Sequence, residues 1–438
     1  MDRHEYMELL SKRIRCRRAI PMVLREIETH IEEQKEEFLS EGMNMQEAEE
    51  AAVREMGDPV AVGIELNKIH QPKIAWSLFG MVVILSALGI VIQAMVELAV
   101  SSVRPQGWLY YLVSGVNSRN QILCVLGGVL LMVCICLMDY TWIGKYAVLL
   151  WGSVIILLIE YCMKTPNVNG KYEVAWSFSY LLIPIYAGIV WHYWQQGYKG
   201  LVKSTVILAM TGVFSICILV SISTMCLMVF IGVVMLQMAI CQGGFGKSKR
   251  KNSAILWSVL FALPAVMGIG WMAVNGCLMG DYQWNRLSDF LRPEQNTIYQ
   301  RIASGIKAMT ENADVLGSIP YDSPDMSMIK GEYLWNYLYQ AWGSGVGIAL
   351  TLAEAVVVIC LLLLVLRQKN QLGKMLGISC VLFLALQIIR YVSMNFGYAA
   401  PASVNMPFLS YGNINLMISY LYVGLGLSVH YNSNLINN

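Results

Sequence analysis

Hydrophobic and polar positions change rhythm close to residue 74. Upstream, apolar residues recur three and four apart among charged ones, the period of amphipathic helices. Val23, Leu24, Ile27, Ile31, Phe38 and Leu39 form one such stripe behind Pro21, and proline is tolerated in a first helical turn. Gly42 is placed to end that helix, and Asn44 to cap the next, which turns Ala48, Ala52 and Met56 inward and stops at Gly57. Asp58-Pro59 then reads as a cap followed by proline at the first helical position. Residues 1–70 are therefore expected to form a small soluble helical domain.

Downstream, apolar runs of about twenty residues, the length that crosses a bilayer as a helix, follow one another to the end. They lie near 74–99, 121–139, 145–164, 176–193, 203–220, 223–242, 253–275, 340–366, 373–397 and 411–431. The pattern predicts an all-α, polytopic membrane domain over 74–432 with about ten transmembrane helices and one long loop, 276–339. A loop of that length in a compact domain is usually functional.

Composition agrees: the 438 residues are 56% hydrophobic and 14% charged, with a mean hydropathy of +0.53. Of 29 acidic residues, 16 lie in 1–70 and eight between Asp281 and Glu332, marking the two regions expected in water. Lys199 and Lys203, then Lys247, Lys249, Arg250 and Lys251, then Arg367, Lys369 and Lys374 fall on alternate joints. They share a side with the N-terminus, so both termini are expected in the cytosol and the long loop outside. The charged start does not read as a signal peptide. Eleven scattered cysteines, without a CxxC pair, and five dispersed histidines suggest neither a disulfide framework nor a zinc site. No Walker sequence is present, which argues against a nucleotide-driven pump, and nucleic acid is not an expected partner.

Charges inside the apolar runs invite a functional reading. Glu97, Glu160, Glu354 and Arg390 all fall in the outer halves of their spans. Glu354 and Arg390 lie on neighbouring segments, where they are expected either to pair as a structural ion pair or to line a polar cavity opening outward. Gly343, Gly345 and Gly347 would let helices approach closely there.

Two stretches resemble known families. Gly42-Met-Asn-Met-Gln-Glu-Ala48 with Met56-Gly57-Asp58-Pro59 resembles the short HAAS or permease-prefix helical domain, which implies a cytosolic interaction or regulatory module. Gln387, Gly397 ten residues on, and Pro407-Phe408-Leu409-Ser410-Tyr411-Gly412 are similar to a signature of the SEDS family (shape, elongation, division and sporulation; the FtsW/RodA/SpoVE group). Tyr282 to Pro293 resembles the opening of that family's long outer loop, and Asn169-Gly170 and Pro184 resemble remnants of two further elements. The resemblance implies a peptidoglycan glycosyltransferase that polymerises lipid II, an undecaprenyl-linked disaccharide, beside a class B penicillin-binding transpeptidase. It implies substrate contacts at Pro407, Ser410, Tyr411 and Gly412, and a carboxylate base that corresponds to Glu332, with Asp322 and Asp325 as rivals. Arg286, or a divalent metal, would offset the departing diphosphate; no cofactor and no metal ligand is otherwise indicated. The chain departs from the family at several positions: Glu332 stands for aspartate, Asn413 for glycine, and Lys171 is the only cation beside Asn169-Gly170. These departures keep open a catalytically degenerate scaffold or regulator of cell-wall synthases and, with less support, a lipid flippase or transporter.

Overall fold

The computed structural model describes residues 2–14, 16, 19–69, 71–100, 116–165, 173–217, 222–246, 248–257, 331–398 and 404–433. It divides into two compact units, Met1–Ala75 with His430–Asn438, and Trp76–Val429. Every regular element among the described residues is a helix, and none is a strand.

The first unit contains α1 (Arg3–Arg13), α2 (Ile20–Ser40), α3 (Met45–Glu55) and α4 (Pro59–Ile69). Helix α1 packs on α4, and α2 on α3. Tyr6, Leu10, Val23, Ile27, Ile31 and Ala52 make one buried core. The boundaries have local causes. Asn44 Oδ1 accepts the N–H groups of Gln46 and Glu47 at 3.1 and 2.8 Å, and the Asp58 carboxylate accepts those of Val60 and Ala61 at 3.2 Å. Each bond satisfies a helix-start donor that has no intrahelical partner. Gly42 and Gly57 take φ of +98° and +80°, the left-handed turn that ends a helix. Leu39, expected in the apolar stripe, is instead 38% exposed. It continues the same four-residue row as Ile27, Ile31 and Lys35 but lies in the last turn of α2.

The second unit contains α5 (Trp76–Val100), α6 (Val116–Leu137), the short α7 (Thr141–Lys145), α8 (Ala147–Lys164), α9 (Glu173–Ser179), α10 (Leu182–His192), α11 (Gly197–Cys217), α12 (Ile222–Cys241), α13 (Leu334–Ala341), α14 (Ser344–Leu366), α15 (Gln371–Asn395) and α16 (Asn413–Tyr431). Among the described residues, six helices are long and apolar enough to cross a membrane: α5, α6, α8, α12, α14 and α15. Of the about ten spans expected, six meet this measure among the described residues, and most of the expected 253–275 span lies outside the described residues. Leu149, Ile156, Leu157 and Met163 on α8 are each more than three-fifths exposed, as a lipid-facing surface requires. Helix α15 is the central element: 67% of its apolar window is buried, and it packs against α10, α12, α13 and α14.

Two expected spans are broken. The 176–193 run divides into α9 and α10 because Pro184 has no N–H to give Tyr180 O, the i−4 carbonyl. Three-residue bonds take over: Leu181 N to Phe178 O at 3.1 Å and Ile183 N to Tyr180 O at 3.0 Å. Tyr180 O also accepts the Tyr422 hydroxyl at 2.8 Å. The 340–366 run breaks at Gly343, whose φ is +98°. Helix α13, which begins inside the expected 276–339 loop, folds back on the first turns of α14. A Cβ on Gly347 would sit 3.0 Å from Tyr339 and 3.3 Å from Trp335, so glycine is what lets these helices close.

The two ends of this unit differ in chemistry. At one end, Gly144 packs on Leu372 and Trp191, and Gln195 N donates to Gly244 O at 2.7 Å. Lys199, Lys203, Lys249, Arg250, Arg367 and Lys374 belong to the helix ends and turns that meet there. The other end, at the C-terminus of α15, holds the site.

Candidate functional site

Helix α13 begins against the last two turns of α15. The first N–H groups of a helix need partners from elsewhere, and α15 supplies two. Tyr391 Oη accepts from Trp335 N at 3.1 Å, and Asn395 Oδ1 accepts from Asn336 N at 3.1 Å. The same two side chains also donate: Tyr391 Oη to Gly331 O at 3.1 Å, and Asn395 Nδ2 to Glu332 O at 2.9 Å. The backbone on both sides of the Glu332 side chain is therefore tied to α15. Below it, Trp335 stacks on Tyr339 with ring centroids 4.6 Å apart and lies 4.6 Å from Phe396. Glu332 itself is half-buried.

Residues 404–412 meet this loop. A Cβ on Gly331 would lie 2.9 Å from Tyr411 O and 3.4 Å from Asn405 Oδ1, and one on Gly412 only 1.8 Å from Asn405 Nδ2. Asn405 is thus wedged between two glycines. Its carbonyl accepts Gln387 Nε2 at 2.9 Å. Pro407 and Phe408 are buried beneath. Phe408 has φ +61°, and Leu409 N donates to Pro407 O at 2.7 Å, a tight three-residue turn with positive φ at a non-glycine residue. That turn is pressed onto α5 at Gly89, where a Cβ would sit 2.5 Å from Phe408 O. Ser410 is buried and its hydroxyl donates to Met406 O at 3.0 Å. Tyr411 is half-buried, and its hydroxyl lies 3.4 Å from Asn120 Nδ2.

The structure therefore brings Glu332 to the same loop cluster as Tyr411 and Gly412. It turns Pro407 and Ser410 inward as packing elements. Arg286, Asp322, Asp325 and the 282–293 segment lie outside the described residues.

Of the two arrangements expected for Glu354 and Arg390, the ion pair does not form. Glu354 is 1% exposed, and neither carboxylate oxygen has a hydrogen-bond partner among the described residues. Arg390 lines a small cleft of about 10 Å³, room for about one water, together with Gln387, Asn405, Asn415, Tyr180 and Phe383. The reason is rotational phase. Neighbouring residues on a helix point ~100° apart, so while Tyr391 faces α13, Arg390 lines the cleft with Tyr180, Leu227 of α12 and Asn415 of α16. The remaining intramembrane acids have local duties: Glu97 Oε2 accepts from Ser118 N and Oγ at 3.3 and 2.8 Å, satisfying the start of α6, and Glu160 pairs with Lys164 one turn on. No three His, Cys, Asp or Glu side chains gather as a metal site among the described residues.

Sequence reasoning missed Tyr391, Asn395, Asn336 and Asn405. A signal existed for two of them. Gln387, Tyr391 and Asn395 recur four apart, a polar ridge along one face of an otherwise apolar helix.

No family model and no curated protein matches the chain. Solved structures do. A chain from a peptidoglycan synthase complex, described as coordinating polymerization and crosslinking, matches with a TM-score of 0.59 at 17% identity, over 82% of this chain and 98% of that one. The rod shape determining protein RodA of Thermus thermophilus matches with a TM-score of 0.53 at 14% identity, over 82% of this chain and 97% of its own. A point mutant of that RodA matches at the same score and identity. The chain thus has the polytopic all-α membrane fold of RodA.

Proposed function

We propose that this chain works in cell-wall synthesis as a SEDS-type peptidoglycan glycosyltransferase, polymerising lipid II with Glu332 as general base. The observation that carries the reading is the docking of the Glu332 loop, through Gly331, onto Asn405 and Tyr411, within a fold shared with RodA. The reaction asks for little more than positioned charge. A sugar hydroxyl attacks the anomeric carbon of a lipid-linked sugar. Its proton passes to the carboxylate as the new C–O bond forms. The anomeric C–O bond to the diphosphate breaks, and its electron pair leaves with the lipid diphosphate. General-base help of this kind contributes roughly 10²–10⁴ in rate, and the Tyr391 and Asn395 anchors hold the base in place.

The basic helix ends belong on the cytosolic side, so the Glu332 end faces outward, where lipid-linked sugars are polymerised. The N-terminal unit is then a cytosolic HAAS-like module. The neighbouring complex couples polymerization to crosslinking, and a class B penicillin-binding transpeptidase is the corresponding partner here. The test is polymerisation of purified lipid II by the full chain in detergent or nanodiscs. Glu332→Gln is expected to abolish it while the protein stays folded, and wild-type rates in that variant would remove Glu332 from the role.

One observation favours a second reading, a non-catalytic scaffold for cell-wall synthases: Phe408 and Ser410 of the signature are buried, and Ser410 is satisfied by its own loop. Co-purification with a synthase, without turnover of lipid II by wild type, selects it.

A further inference from the structure

The end of the second unit opposite Glu332 gathers cations where α11 begins and the chain leaves α12. Lys199 and Lys203 lie in the first two turns of α11, and Lys249, Arg250 and Lys251 in the helical turn after Ser248. All five are exposed, and none forms an ion pair among the described residues. Asp139, a carboxylate at this end, is engaged in capping α7, where it accepts from Thr141 N and Oγ1 at 2.9 and 2.8 Å.

The cluster has a fixed floor. Gln195, at φ +67°, gives its N–H to Gly244 O at 2.7 Å, which joins the turn before α11 to the turn after α12. Trp194 covers Gly244, where a Cβ would lie 2.8 Å from the indole. The first turn of α11 rests on Phe245, since a Cβ on Gly200 would lie 3.4 Å from that ring. Asn252 Nδ2 donates to Phe245 O at 2.9 Å, so residues 249–251 are tied to the same point. Lys203 Nζ stands 5.2 Å from the Tyr193 ring centroid, a cation–π contact that holds the ammonium in place. The charges are therefore set at a fixed spacing by backbone bonds and aromatic packing.

What lies below the lysines narrows the ligand. Val202, Val206, Met210 and Val213 continue along α11 at three- and four-residue spacing and are between 38% and 52% exposed. A soluble anion has no use for that stripe. A phospholipid meets both parts, with its phosphate against the ammonium and guanidinium groups and its acyl chains along the apolar side chains.

We infer that Lys199, Lys203, Lys249, Arg250 and Lys251 bind the headgroup of an anionic phospholipid whose acyl chains lie along the 202–213 stripe of α11. The inference goes beyond the proposed glycosyltransferase reading and needs only the membrane fold, so it holds equally for an enzyme and for a scaffold.

The experiment is native mass spectrometry of the purified full chain in micelles, titrated with phosphatidylglycerol and phosphatidylcholine in competition. Wild type is expected to retain phosphatidylglycerol preferentially. Lys199→Gln, Lys203→Gln and Arg250→Gln together are expected to weaken that binding roughly tenfold or more, and Lys199→Arg with Lys203→Arg to keep it. Recovery in the arginine variant, with melting temperatures unchanged in zwitterionic detergent, separates lost charge from a damaged fold. Arg367→Gln, Lys369→Gln and Lys374→Gln together remove the same charge from the same end and are expected to leave the affinity within about twofold of wild type, because exposed charges beyond the site are screened. Wild type without a preference for the anionic lipid overturns the inference. Equal losses in the two glutamine variants overturn it as well, since the attraction then follows net charge and not this site. Displacement of the lipid by soluble glycerol phosphate at equal concentration overturns the assignment of the apolar stripe to acyl chains.

Discussion

The Tyr391 hydroxyl accepts the backbone N–H of Trp335 at 3.1 Å, and with its own proton holds Gly331 O at 3.1 Å. One phenol on α15 thereby ties the carbonyl just before Glu332 and the N–H of Trp335, three residues after it. Tyr391→Phe keeps the ring and removes both bonds, stranding a buried N–H and a carbonyl. Each such group costs about 1–3 kcal/mol. The expected outcome is a melting temperature lowered by several degrees in detergent and, on the proposed glycosyltransferase reading, a polymerisation rate that falls more than lipid II binding does, since the proposed base is displaced and not removed.

Asn395 answers a different question, because its two ends do opposite jobs. Nδ2 donates to Glu332 O and Tyr391 O, both at 2.9 Å, while Oδ1 accepts from Asn336 N at 3.1 Å. Asn395→Asp turns the donor end into an acceptor facing two carbonyls, and adds a charge to a position that is 0% exposed. Asn395→Ala only removes the contacts. Asp should therefore melt lower than Ala in the same detergent, although it is the closer isostere; the reverse order would show that the Asn395 contacts do not hold this loop.

The sequence read well wherever one residue decides a boundary locally. Asn44 and the Asp58-Pro59 pair cap helices through side chains that reach only two or three residues forward, and Gly42 and Gly57 stop them through backbone angles alone. The apolar runs also announced the membrane bundle. Illegible were features that depend on what lies across the bundle. Pro184 and Gly343 sit in runs whose hydropathy is continuous, so the breaks at them were hidden in the average. Glu354 and Arg390 are neighbours by segment but not by face, and only the helix phase separates them. Glu332 was singled out through a family resemblance, whereas the groups that hold its backbone, Tyr391 and Asn395, needed the fold-back of α13 to be seen.

Glu354 carries its own prediction. A carboxyl group inside a span costs about 2.5–3.5 kcal/mol on insertion scales unless it is paired, and this one has no hydrogen-bond partner among the described residues. Replacing an unsatisfied polar group with an apolar side chain of similar length is often stabilising. Glu354→Met is accordingly expected to raise the melting temperature without lowering yield. A large destabilisation would mean that the carboxyl is engaged by residues outside those described.

The Tyr422–Tyr180 contact gives a two-residue test of why the fourth predicted span is broken. Pro184 leaves Tyr180 O without its usual i+4 donor, and the Tyr422 hydroxyl, buried with its ring stacked 4.2 Å from Phe383, donates to that carbonyl at 2.8 Å. Tyr422→Phe should cost about 0.5–1.5 kcal/mol, the net worth of one neutral hydrogen bond, or somewhat more because the carbonyl is buried. Pro184→Ala returns an N–H that can reach Tyr180 O from within the helix. If the tyrosine substitutes for the missing proline donor, the Tyr422→Phe penalty should shrink in the Pro184→Ala background. A double-mutant cycle on chemical unfolding in detergent measures that coupling. Full additivity would separate the break in the helix from Tyr422, and would leave the three-residue bonds around Leu181 and Ile183 as its sole support.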